Sequence, residues 1–113
     1  MKKVTAILRP SALEPLKDEL ISHGFTGMSV EQIRGYGNQL GWTESYRGHE
    51  NLVNLIPKVQ IVLLVGDDDV EKVIEIICTV GRTGEAGDGK IFVTPIDEVI
   101  RIRTGERGYA AIH

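Results

Sequence analysis

The chain runs twice through one pattern: an apolar strand, a polar turn, a helical stripe closed by glycine, and a further strand. Lys3–Leu8 is rich in β-branched and apolar residues and stops at Arg9-Pro10. Ser11 and Glu14 then form a capping-box pattern, with Leu13, Leu16, Leu20 and Ile21 at helical spacing and Gly24 suited to the C′ position. Met28–Tyr36 follows as a strand with Val30 and Ile33 among polar neighbours. The second pass begins with the nearly continuous apolar run Lys58–Val65, which predicts burial on both faces. Asp68 and Glu71 repeat the capping pattern, Val70, Val73, Ile74 and Ile77 repeat the stripe, and Gly81 repeats the stop. Strands are expected at Lys90–Thr94 and Val99–Arg103, separated by Pro95-Ile-Asp-Glu98. This order predicts an α+β fold of the ferredoxin-like, double split βαβ kind, with one antiparallel sheet and two helices on one face. The other sheet face then needs covering, and association through it is the simplest resolution.

A length of 113 residues is read as a single domain, residues 1–113, large enough for its own core. The net charge of −3 argues against a general nucleic-acid binder, which would carry a basic surface. The one cysteine, Cys78, excludes an intrachain disulfide and any multi-cysteine zinc site, and its helical context reads as a buried small hydrophobe. Thr5, Arg9 and Pro10 interrupt any signal-peptide core, and no apolar run approaches the roughly 20 residues of a membrane span. The expected location is the cytoplasm.

Two stretches carry candidate chemistry. In Arg82-Thr-Gly-Glu-Ala-Gly-Asp-Gly-Lys90 and Arg101-Ile-Arg-Thr-Gly-Glu-Arg-Gly108, glycines let backbone amides approach a ligand and cations neutralise an anion. A nucleotide polyphosphate fits that combination; a glycine-rich hairpin with solvated charges is the alternative. Gly87-Asp-Gly-Lys90 enters a strand, so it is no Walker loop. On a strand, Arg101 and Arg103 would leave one face about 7 Å apart, able to bracket phosphates or simply to face water. Lys58 follows Pro57 at a strand mouth, where an ammonium meets a carboxylate or solvent. Residues 37–57 carry no clear period, which marks either a recognition arm bearing Trp42 and Tyr46 or a hairpin packed on itself. His23, His49 and His113 are scattered without metal spacing, and no nucleophile arrangement is recognisable.

Together these motifs resemble the PII signal-transduction proteins, the trimeric nitrogen-regulatory family. The resemblance is carried by Lys2-Lys3 through Ile7 with Arg9-Pro10, by Gly27-Met28, and by Gly35-Tyr-Gly-Asn-Gln39. Tyr46-Arg-Gly48, Pro57-Lys58, Arg82-Thr-Gly84, Gly87 to Pro95 and Arg101 to Gly108 extend it over nearly the whole chain. It implies a homotrimer with ATP or ADP in each cleft between subunits. It also implies a T-loop, here about residues 37–55, that docks a transporter or metabolic enzyme, touching membranes only through such a transporter. A C-terminal segment of about 104–113 closes the chain. Gly87, Asp88, Gly89 and Lys90 would hold the phosphates, with Arg101 and Arg103 reaching them from the neighbouring subunit. Ile7, Gly35, Gly37, Val62 and Leu64 would line the adenosine pocket, Met28 and Ser29 would contribute across the interface, and Asn38, Gln39 and Lys58 complete the nucleotide set. Arg9, Gln39, Leu40, Gly41, Lys58 and Gly87 would bind the effector 2-oxoglutarate, with Gln39 helping to ligate Mg²⁺. Trp42, Tyr46, Arg47, His49 and Asn51 would meet the partner protein.

The resemblance also marks departures. Asn51 stands where many relatives carry a uridylylated tyrosine, and His49 where cyanobacterial relatives carry a phosphorylated serine. Asn38 replaces a basic residue near the phosphates, Val62 an acidic residue near the adenine, and Ser29 a threonine. These predict a retuned nucleotide preference, toward ADP or AMP. Regulation of inorganic-carbon or metal transport is a second reading within the class, and a small acylphosphatase-like enzyme or a purely structural oligomer are readings outside it.

Overall fold

The computed structural model describes residues 1–35, 42–46, 49–53 and 56–112, of which 42–46 and 49–53 are described by backbone alone. Its strands are β1 (Lys2–Leu8), β2 (Met28–Gly35), β3 (Trp42–Tyr46), β4 (His49–Val53), β5 (Ile56–Val65) and β6 (Lys90–Pro95). Its helices are α1 (Leu13–Ser22), α2 (Val70–Gly81) and the short α3 (Tyr109–Ile112). The main sheet has the order β2-β5-β1-β6, with every neighbouring pair antiparallel. That is the ferredoxin-like arrangement the doubled pattern predicts.

Both helices lie on one face. Leu16 and Leu20 of α1 and Val73, Ile76 and Ile77 of α2 bury against Val4, Ala6 and Leu8 of β1 and Val59, Ile61, Leu63 and Val65 of β5. On β5 the alternate positions Gln60, Val62 and Leu64 are only half-buried within one chain. The predicted burial on both faces is therefore met on one face alone.

Three local expectations are corrected. Neither capping box forms, because Pro10–Ala12 and Asp67–Asp69 each make a 3₁₀ turn ahead of the helix, so Ser11 and Asp68 do not occupy the N-cap position. Gly81 belongs to α2 itself, and the helix is ended by Arg82 turning extended at φ −78°. Val99–Arg103 is no strand. Its only ladder contact among the described residues is the bridge Ile100↔Arg107, and the chain reverses there: Gly105 N–H donates to the Arg101 carbonyl (2.7 Å) and Arg101 N–H to the Glu106 carbonyl (2.8 Å). With Gly105 at φ +74° this is a tight turn, so Arg101 and Arg103 do not share a strand face. Gly24, by contrast, sits at φ +87° beyond α1, with Phe25 N–H donating to the Leu20 carbonyl, as the C′ reading requires. Cys78 is half-buried rather than fully buried.

In the stretch without a period, β3 and β4 pair antiparallel as a two-stranded sheet of their own, with Trp42 opposite Val53 and Tyr46 opposite His49. Among the described residues, no helix is long and apolar enough to cross a membrane.

Candidate functional site

The glycine-rich segment between α2 and β6 is tied down by one carboxylate. Asp88 Oδ2 accepts from the backbone N–H groups of Thr83 (2.8 Å) and Gly84 (2.9 Å). Its Oδ1 accepts from the Thr83 hydroxyl and from Arg9 Nη2 at 3.2 Å. Hydrogen bonds from the Thr83 hydroxyl and amide, then from Gly84 and Arg9, hold the Asp88 carboxyl well below the usual carboxylate range. It is thus an anion consumed by its own loop. Of the residues expected to hold phosphate, Asp88 offers its backbone rather than its side chain.

Two cations, Arg9 again and Lys58, grip adjacent carbonyls. Arg9 Nη2 donates to the Ala86 carbonyl at 2.9 Å, and Lys58 Nζ donates to the Gly87 carbonyl at 2.7 Å. Arg9 follows the end of β1 and Lys58 lies near the start of β5, so the loop is fastened to two neighbouring strands. Lys58 is buried at 8% exposure, which pushes its ammonium below its ordinary value, and the nearby Arg9 cation adds to the effect. Gly35 makes room for it: a Cβ there would lie 3.0 Å from Lys58 Cγ. Arg9 Nε is buried and has no hydrogen-bond partner among the described residues.

The loop's shape depends on glycine. Gly84, Gly87 and Gly89 all take positive φ, and Gly89 at +99° passes so close to β1 that a Cβ would lie 1.7 Å from the Ile7 carbonyl oxygen. Lys90 then opens β6 directly opposite Ile7, exposed. A cavity of about 250 Å³ adjoins the loop, lined by Leu8, Ile77, Cys78, Arg82, Asp88, Gly89 and Lys90 among others. A second of about 430 Å³ opens beside Lys58, between Pro10, Ile33, Arg34 and Pro57. Glycine amides, an open lysine, the half-buried Arg9 and the buried Lys58 make an arrangement able to hold an anion.

The expected residues spread along the sheet from one end past its middle. Ile7, Arg9, Gly35, Lys58 and Gly87–Lys90 gather at one end. Met28 and Ser29 pair with Leu63 and Val62, and Leu64 with Lys3, toward the other. The C-terminal turn lies at that far end too, since Val99 accepts from Gly108 N–H and the Tyr109 ring packs against Gly66, just beyond Val65. Ile7 and Lys2 are separated by roughly 16 Å of strand, so the turn that carries Arg101 and Arg103 is anchored away from its own chain's Gly87–Lys90 loop. Arg101 instead pairs with Glu106 Oε1 at 2.8 Å, and Arg103 is exposed.

Gly37, Asn38, Gln39, Leu40, Gly41 and Arg47 lie outside the described residues, and of Trp42, Tyr46, His49 and Asn51 only the backbone placement is described. Among the described residues no group of three His, Cys, Asp or Glu side chains is placed to hold a metal. The expected Mg²⁺ ligand, Gln39, is beyond them, and the Asp88 carboxylate is committed to four donors. Thr83 is the residue that reading the sequence for ligands misses. Its signal is a Thr-Gly pair standing five and four positions before an aspartate inside a glycine-rich turn.

A profile of the family described as "Nitrogen regulatory protein P-II" matches residues 1–106. Nitrogen regulatory protein P-II 2 of Methanothermobacter thermautotrophicus is 50% identical over 112 residues, covering 99% of this chain and 97% of that protein. Nitrogen regulatory protein P-II of Nostoc punctiforme is 47% identical over 112 residues, covering 99% of this chain and all of that protein. The chain therefore belongs to the nitrogen regulatory protein P-II family. Membership makes it a signal-transduction regulator and not an enzyme.

Proposed function

We propose that the chain senses nucleotide and metabolite levels in nitrogen regulation and passes the signal to a partner transporter or enzyme through residues 37–55. ATP or ADP binds in a cleft between subunits of a homotrimer. The glycine-rich loop takes the phosphates on its amides and Lys90, and Arg101 and Arg103 arrive from the neighbouring copy. The observation that carries this reading is the loop itself: three glycines at positive φ, fastened at residues 86, 87 and 88 by Arg9 and Lys58 and by the Asp88 carboxylate. The separation of Arg101 and Arg103 from that loop within one chain supports a site completed by a second copy. So do the half-buried Val62 and Leu64 on the open sheet face. 2-Oxoglutarate, with Mg²⁺ and ATP, takes Arg9, Gln39 and Lys58, whose cations suit a dicarboxylate. Ligands that bind two states of the arm unequally then decide which partner docks.

Asn38 and Val62 set the nucleotide preference, removing a cation near the phosphates and a carboxylate near the adenine. Calorimetric titration with ATP, ADP and AMP, with and without 2-oxoglutarate and Mg²⁺, tests the reading. One nucleotide bound per subunit, with ADP or AMP at least as tight as ATP, is the expected result. A protein that is monomeric by light scattering and takes up no nucleotide refutes it.

A further inference from the structure

We propose that Thr83 is a positioning residue for the anion loop, acting through Asp88 to hold the amides of residues 87–89 ready for a polyphosphate. The role rests on the nucleotide reading above and adds to it a residue that touches no ligand. A carboxylate beside a polyphosphate repels it unless its charge is spent elsewhere. Here Thr83 contributes two of the four hydrogen bonds that occupy Asp88, one from its amide at 2.8 Å and one from its hydroxyl. The same hydroxyl accepts from Glu85 N–H at 3.2 Å, so one side chain fixes the chain on both sides of Gly84. Gly84, Gly87 and Gly89 all hold positive φ, and glycines lose more conformational freedom on ordering than any other residue. A loop ordered before the ligand arrives spares binding that loss, which is the physical content of preorganisation.

Thr83→Val keeps the β-branched shape and the backbone donor and removes the hydroxyl; Thr83→Ser restores it. A hydrogen bond to a charged group lost in this way corresponds to about a tenfold change in affinity. Thr83→Val is expected to weaken ATP and ADP about tenfold and AMP less, with Thr83→Ser near wild type. In the nucleotide-free protein, amide hydrogen exchange at residues 84–89 should be faster in Thr83→Val than in wild type, with exchange in α1 and β5 unaltered. The exchange arm does not depend on any ligand: unchanged protection at 84–89 overturns the role outright. Wild-type nucleotide binding with an unaltered Thr83→Val affinity overturns the role alone. Wild-type protein that binds no nucleotide takes down the functional reading and this role together.

Discussion

Asp88 is the residue on which the glycine-rich loop turns, and its behaviour with pH follows from its partners. The carboxyl sits below its ordinary value of 3.8 because four donors favour the charged form. A carboxyl depressed in the folded state stabilises the fold at pH above its unfolded value, and that contribution is lost as pH falls through the folded value. Wild type should therefore exceed Asp88→Asn in stability at neutral pH by a margin that stays constant down to about pH 4. The margin should begin to shrink around 3.8 and fall further as the pH drops toward the folded value. Denaturant titrations of both proteins from pH 7 to pH 2 measure it, and a margin that closes by pH 5 would contradict the assignment. The staple was only partly legible in the sequence. Gly87, Gly89 and Lys90 announce an anion loop by composition, whereas Asp88 reads equally as ligand or as scaffold until its partners are seen. Thr83 carries only the weak signal of a Thr-Gly pair ahead of Asp88, and its role shows once the turn folds it back onto that carboxylate.

At the scale of elements, apolar periodicity located α1, α2 and the four strands of the main sheet because each must bury one stripe or face, while the short α3 went unread. Their ends were less legible. A capping box needs its first residue extended, and the 3₁₀ turns at Pro10–Ala12 and Asp67–Asp69 deny that to Ser11 and Asp68. The end of α1 was legible because Gly24 must take φ +87°, which a side chain resists. Two neighbouring glycines separate that cause from simple crowding. Neither Gly24 nor Gly27 has an atom within 4 Å of an added Cβ, but only Gly24 has positive φ. Gly24→Ala should cost about 1 kcal/mol, and Gly27→Ala should stay within about 0.5 kcal/mol of wild type. Thermal or urea denaturation of the two variants decides; equal costs would remove the conformational explanation. The strand expected at Val99–Arg103 shows the opposite failure. Alternating Val, Ile and Arg satisfy a strand pattern, yet no neighbour among the described strands pairs with the segment beyond one bridge, and Gly105 lets it reverse.

For the whole molecule, the open face of the sheet is the outstanding physical fact. Phe92, 45% exposed, continues a row through Thr5 and Val62 to Ser29 across all four strands. Such a face on a helix-backed sheet is what self-association covers, and the proposed trimer would place it inside. Phe92→Asp would then bury a charge in that contact, so light scattering should show the trimer shifted toward monomer while circular dichroism retains the α+β signature. A Phe92→Asp protein still fully trimeric at micromolar concentration would place the contact elsewhere. The core beneath α1 and α2 is on the opposite face and should be untouched.

By itself the sequence determined the order of elements, the ferredoxin-like class and the family, because periodicity, turn glycines and an unbroken run of motifs are all local properties of the chain. Only the tertiary structure showed that the Asp88 side chain is held by Thr83, Gly84 and Arg9. Only it showed that Lys58 is buried against the Gly87 carbonyl, and that the C-terminal turn bearing Arg101 and Arg103 is anchored at the far end of the sheet from Gly87–Lys90. Those outcomes depend on which residues distant in sequence arrive at one place, and hydrogen-bond geometry and burial are set there and not along the chain.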